Sequence, residues 1–262
     1  MKECSKSIAR RLSDPNFSNR YFVGRGLDIG GKPDPLALYA ELFSRIEHVQ
    51  TWDREDGDAQ FLSEIRDEQY DFVHSSHCLE HLIDPSQGLK NWFRVVKPGG
   101  YLVILVPDED LYEQGVFPSA YNQDHKWTFA IYKEKSWSQK SVNMLPLLME
   151  LGSNAEVVKV ELLSATYRYK LPKYDQTRSP VGECGIEVVV RKRVTSEVAE
   201  GGRLPTRAPV ENREMRVHLN QYLNDADTLR QANKTVPPFK NDTLCSVCML
   251  RMKQSSSTMP AV

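Results

Sequence analysis

Short unbroken apolar runs separated by stretches of helical spacing are the dominant pattern along this chain. The first clear run, Tyr21 to Ile29, reaches Asp28 and then Gly30-Gly31, and Lys32-Pro33-Asp34-Pro35 cannot extend it. It predicts a buried strand ending in a tight turn whose backbone is free to approach a ligand. Leu38, Leu42 and Ile46 recur at spacing four, so residues 36–46 are expected to be helical. Residues 5–12, stopped by Asp14-Pro15, predict a short helix that covers the cleft. A second strand, His48 to Asp53, ends in a carboxylate; a helical stretch through Ile65 follows Gly57-Asp58-Ala59; and Phe72 to His77 forms a third strand with a polar end.

Residues 79–96 read as helical with a restart at Asp84-Pro85, where proline suits a first turn. Lys97-Pro98-Gly99-Gly100 is expected to turn the chain, and Tyr101 to Pro107, apolar on both faces, to form a central parallel strand with helices on either side. From 108 to 137 the pattern loosens into acids, aromatics and His125, just past the carboxyl end of that strand, where open α/β sheets bind ligands. Residues 138–151 read as a helix, and Glu156 to Thr166 with Ile186 to Lys192 as a closing pair of strands. Beyond Val194 come a linker at 200–209, an exposed helix at 210–232 and a tail at 253–262 too polar to pack. The expected division is a domain of 1–194 with a substrate-side insertion near 108–137, then 195–262 as linker, possible helix and flexible tail.

Composition narrows the function more than the fold. With 34 basic and 35 acidic residues and a net charge of -1, the chain has no electrostatic footprint for nucleic acid or an anionic membrane, so a small molecule is the expected partner. The N-terminus lacks an apolar signal segment and no stretch is long enough to span a bilayer, which makes the cytoplasm the expected compartment. Five scattered cysteines argue against a disulfide framework, and the Cys245-Cys248 pair has no second pair to complete a zinc site. Gly30 and Asp53 are separated by about the interval at which nucleotide-binding α/β folds set an acid against ribose hydroxyls.

LDIGG, the strand-end Asp53, the GDA at 57–59, DFVHSSHCLEHLIDP and RVVKPGGYLVILVPDE, in that order, resemble the motifs of class I S-adenosylmethionine-dependent methyltransferases. The resemblance covers about residues 21–193 and implies a Rossmann-like, doubly wound α/β fold: a seven-stranded, mainly parallel sheet with a C-terminal antiparallel hairpin. It further implies S-adenosyl-L-methionine as cofactor. Gly30 and Gly31 would then lie against its methionine part, Asp28 would help hold its ammonium, and Asp53 would accept from both ribose hydroxyls. Asp58 and the Ala59 N–H would face adenine, and His77 the sulfonium and the incoming substrate. The family's GxGxG is reduced here to Gly30-Gly31-Lys32.

Methyl transfer needs an aligned nucleophile and, for a hydroxyl or ammonium, somewhere for the proton to go. His77 and the Asp124-His125 pair are the candidate catalytic residues; His81 suits a structural role on its helix. Asp108, Glu109, Asp110, Asp124 and His125 together offer ligands for a hard divalent cation, but acids after a strand are more often solvated turn residues, so no metal is assigned. The expected reaction is O-methylation of a small polar acceptor such as a saccharide. A protein that binds the cofactor without turnover is the alternative, and so is an interaction protein working through residues 210–232.

Overall fold

The computed structural model describes residues 3–120, 122–165, 167, 169–170 and 182–203, all of them within one compact unit, Met1–Arg203. The expected helix at 210–232, the Cys245-Cys248 pair and the tail lie outside the described residues.

The elements in chain order are α1 (Cys4–Ser13), β1 (Gly24–Ile29), β2 (Ile46–Trp52), β3 (Tyr70–Ser76), α2 (Pro85–Arg94), β4 (Val96–Pro107), β5 (Thr128–Ala130), β6 (Ser141–Asn143), α3 (Met144–Met149), β7 (Ala155–Leu163), β8 (Gly185–Lys192) and α4 (Thr195–Glu200). Six strands form the main sheet in the order β2-β1-β3-β4-β8-β7, while β5 and β6 pair separately. β1 is parallel to β2 and β3, β3 is parallel to β4, and β8 runs antiparallel to both β4 and β7. The strand order reverses at β1, between β2 and β3, so a crevice opens at the carboxyl ends of β1 and β3.

Alternation within the strands builds two apolar layers. Phe72, Val103 and Val189 face a cluster with Ile8 of α1, Phe17 and Phe22. Their neighbours Val73, Leu102, Ile104, Val188 and Val190 face Leu89, Trp92 and Phe93 of α2. This is the doubly wound arrangement that an apolar central strand requires.

Among the described residues, six strands of the main sheet replace the expected seven. After β2, residues 53–69 form turns instead of the helix expected through Ile65, and Leu62 and Ile65 fill the core from those turns. No further strand follows there, so β2 remains the sheet edge. The expected helix at 36–46 forms as a shorter 3₁₀ helix, Leu36–Leu42, which begins where the Asp28 carboxylate takes the Leu36 N–H at 2.7 Å and ends before β2 starts at Ile46. Leu38 and Leu42, which suggested a buried stripe, are 67% and 51% exposed. Lys97-Pro98-Gly99-Gly100 is an irregularity within β4: Val96 pairs with Tyr70 but Tyr101 with Phe72. Of the helix expected at 138–151 only α3 forms, since 141–143 are taken by β6. The restart at Asp84-Pro85 is as expected, with the Asp84 side chain accepting the Gln87 N–H at 3.0 Å.

Candidate active site

Gly30 continues β1 with a φ of +68°, and a Cβ there would stand 2.7 Å from Cys78 Sγ. At Gly31 a Cβ would stand 2.4 Å from Asp28 Oδ2. The turn is therefore closed to side chains from both sides. Lys32 N–H donates to Asp53 Oδ2 at 3.0 Å, tying the turn to the end of β2.

Two adjoining cavities occupy the crevice. The larger, about 670 Å³, is lined by Gly30, Trp52, Asp53, Asp58, Ala59 and His77, with Asp124 and Lys126 at its rim. The smaller, about 150 Å³, is lined by Asp28, Gly30, Gly31, His77, His81 and His125, among others. Every candidate cofactor-binding and catalytic residue named from the sequence thus lines one cavity or the other, and Gly30, Lys32, His77 and His81 line both. Buried Trp52 Nε1 has no hydrogen-bond partner, and Asp58 Oδ1 accepts the Gln60 N–H at 2.7 Å. A carboxylate at a strand end, a polar wall and a glycine turn suit a nucleoside joined to a small zwitterion, which is the form of S-adenosylmethionine.

Asp28 is buried at the base of this cleft and is more committed than the sequence suggested. His74 Nδ1 lies 2.6 Å from its Oδ1, and Arg11 Nη1 lies 3.0 Å from His74 Nε2. Arginine only donates, so Nε2 must accept and Nδ1–H must donate to Asp28. Burial lowers the His74 pKa against the opposing pull of Asp28, in keeping with that neutral tautomer. Arg11 in turn donates to Glu187 at 2.9 Å, and Arg10 and Lys159 reach the same carboxylate at 2.7 and 3.0 Å. Burial by itself would raise the Glu187 pKa, but Arg11, Arg10 and Lys159 hold it far below the ordinary carboxylate range.

The other wall holds a dense group of imidazoles and carboxylates. His77, with a φ of +54°, has Nδ1 3.4 Å from Glu80 Oε1 and Nε2 3.7 Å from Glu3 Oε2. Burial opposes its protonation, yet Glu3 and Glu80 raise its pKa overall. Burial likewise opposes ionisation of Glu80, but His77, His81 and His125 bring its carboxyl down to about 2. His125 Nδ1 lies 3.2 Å from Glu113 Oε1, with the Tyr112 ring stacked at 6.0 Å. Burial, reinforced by the Glu80 charge, raises the Glu113 pKa well above normal.

Asp124 and His125 line different cavities, the larger and the smaller respectively. The Asp124 carboxylate faces solvent and takes Arg54 at 3.0 Å, Lys126 at 3.2 Å and His81 at 3.2 Å. Glu109 and Asp110 share Lys133, and Asp108 caps the turn at Glu109–Glu113 through the N–H groups of Asp110 and Leu111.

A methyltransferase domain family model matches residues 2–143, more than half of the chain. The chain belongs to this methyltransferase family. S-adenosyl-L-methionine is the cofactor of such class I domains, and the crevice has the residues to receive it. Among curated proteins, the ubiquinone biosynthesis O-methyltransferase of Pseudomonas fluorescens Pf0-1 is 38% identical over 77 residues, 29% of this chain and 31% of that protein. The match therefore spans about a third of the curated relative's length. Similar solved structures include a putative methyltransferase of Bacillus halodurans C-125, with 15% identity, a TM-score of 0.46, and coverage of 71% of this chain and 98% of that one. Another is phosphoethanolamine N-methyltransferase 2 of Haemonchus contortus in complex with S-adenosyl-L-methionine, with 15% identity, a TM-score of 0.45, and coverage of 71% and 53%.

Sequence reasoning passed over Arg11, His74, Glu187, Glu80 and Glu113 in this methyltransferase. The first three are scattered over 176 positions, and only the fold brings them together. Glu80 lies inside a motif already quoted, but nothing local says that it is buried. A carboxylate flanked by His77 and His81 was the available signal.

Proposed function

We propose that the chain binds S-adenosylmethionine in the larger cavity and transfers its methyl group to a hydroxyl of a small polar acceptor, a saccharide or related metabolite, held in the smaller one. The observation that carries this is the position of His77, which lines both cavities at the switch point of the sheet. The imidazoles and carboxylates of the smaller cavity suit a polar guest, and the relatives named as O-methyltransferases support oxygen as the accepting atom.

When bound, the cofactor supplies a methyl carbon activated by a positively charged sulfur. The chain's own task is alignment, which converts an encounter of two molecules into a nearly intramolecular step. Gly30 and Gly31 let the backbone close on the methionine part, Asp53 fixes the ribose, and Asp58 and Ala59 hold the base. Asp28, itself oriented by His74 and the Leu36 N–H, faces the ammonium end. His77 and His125 orient the acceptor, whose proton passes into the cluster that they share with Glu80 and Glu113. Asp124 fixes His81 and Lys126 at the rim.

Calorimetric titration with S-adenosylmethionine and with NAD tests the donor site. Asp53→Ala is expected to weaken S-adenosylmethionine binding by about 2 kcal/mol, roughly thirtyfold, as two charge-assisted hydrogen bonds are lost. Tighter binding of NAD, or indifference to the substitution, would overturn the assignment. His125→Ala is expected to lower turnover on a panel of polyol and phenol acceptors far more than it lowers cofactor affinity; equal losses would return His125 to a structural role.

A further inference from the structure

Glu80, His81 and His125 each offer one ligand atom, and these atoms all lie within 4.8 Å of one another. Glu80 is fully buried, yet neither carboxylate oxygen accepts a hydrogen bond, and neighbouring His77 Nδ1 is likewise buried without one. A buried carboxylate without a hydrogen bond is costly unless something cationic meets it, and the imidazoles of His77, His81 and His125 surround this one without bonding to it closely. Its nearest nitrogens stand off at 3.4 Å (His77 Nδ1) and 3.9 Å (His125 Nε2), too far for good hydrogen bonds. Between proposed ligands, the 3.9 Å from Glu80 Oε1 to His125 Nε2 lies about 0.5 Å beyond the roughly 3.4 Å at which two donors stand when each is about 2.1 Å from a tetrahedral cation.

We propose that Glu80, His81 and His125 bind a first-row divalent transition-metal ion. The outer partners are those such a site requires. His125 has Nδ1 against Glu113 Oε1, so that Nδ1–H can donate there and Nε2 presents its lone pair toward Glu80. His81 Nδ1 is within 3.2 Å of both Asp124 Oδ2 and the Asp124 carbonyl oxygen. Two imidazoles and one carboxylate favour zinc and its first-row neighbours over magnesium, which prefers oxygen ligands. The ion ties His125 of the insertion to the chain just past β3. His81 and His125 both line the smaller cavity, so the remaining coordination positions face the space assigned to the acceptor, where they suit an acceptor oxygen. Only this last feature rests on the methyl-transfer reading. Of the set weighed from the sequence, only His125 belongs to this group: Glu109 and Asp110 are paired with Lys133, Asp108 caps a turn, and Asp124 binds Arg54 and Lys126.

The test loads the full chain, carrying Cys245→Ser and Cys248→Ser to remove thiolate ligands, with Zn²⁺, Co²⁺ or Mg²⁺. Retained metal is then measured by elemental analysis and the Co²⁺ visible spectrum recorded. One equivalent of Zn²⁺ is expected, with a Co²⁺ spectrum of nitrogen and oxygen ligation. Affinity should fall on the order of 100-fold in Glu80→Gln and in His125→Asn. His81→Asn, at a partly exposed position that does not threaten folding, should fall similarly and decides the matter if the buried variants unfold. No stoichiometric metal, equal retention in the folded variants, or Mg²⁺ bound as tightly as Zn²⁺ would overturn the site. S-adenosylmethionine titration on the same samples separates the two readings: its failure removes the donor site, whereas metal loss with intact cofactor binding removes only this inference.

Discussion

At the scale of single residues, Gly30 carries the most constraint for its size. Its backbone sits at φ +68°, and any Cβ would meet Cys78 Sγ at 2.7 Å and Cys78 Cβ at 2.8 Å. Gly30→Ala therefore combines left-handed strain of about 1 kcal/mol or more with a clash against a fully packed neighbour. The expected outcome is a lower melting temperature and at least about tenfold weaker S-adenosylmethionine binding. Unchanged affinity on titration would show that the turn does not approach the cofactor. This residue was legible in advance, because a glycine pair after an apolar run and before Pro33 has few other uses. Glu80 was not: the same local pattern fits an exposed helical acid, and it is buried where His125 and the Lys126 N–H arrive from beyond β4.

Among the elements, β8 shows how an apolar run can conceal a charge that organises its surroundings. Glu187 lies mid-strand, fully buried, with Arg10 and Arg11 from α1 and Lys159 from β7 converging on it. Replacing it with glutamine leaves Arg11 buried without an anion, and removal of one partner from such a set costs about 3 kcal/mol. Because the folded-state pKa is depressed, this stabilisation is present above the unfolded value of about 4.3 and is lost as pH falls below it. Urea unfolding at neutral pH and at about pH 3.5 should show a smaller acid loss for Glu187→Gln than for the wild type. Parallel pH dependences would refute the role. The same chain of contacts runs from Glu187 through Arg11 and His74 to Asp28, so the packing of α1 also sets the orientation of the carboxylate at the base of the cleft.

For the molecule as a whole, all the described site residues fall within the compact unit that ends at Arg203. α4 belongs to it, since Arg191 of β8 is held by Glu197 at 2.6 Å. A chain ended after Arg203 is expected to fold and to bind S-adenosylmethionine within about threefold of the full chain. Loss of binding in that calorimetric comparison would place part of the donor site in residues 204–262. Among the described residues no helix is long and apolar enough to cross a membrane.

The sequence by itself determined the strand order of apolar runs, the glycine turn, the helix restart at Pro85 and the strand-end acids, because each depends on neighbours within a few positions. The tertiary structure decided the rest. The helix expected at 36–46 shortened to a 3₁₀ helix ending at Leu42, the described sheet stopped at six strands where 53–69 spent their length on turns, and Asp124 and His125 came to line different cavities. The two charge clusters, Asp28-His74-Arg11-Glu187 and His77-Glu80-His81-His125, depend on burial and on partners far apart in the chain. Desolvation makes such groupings consequential, and desolvation exists only once the chain has folded.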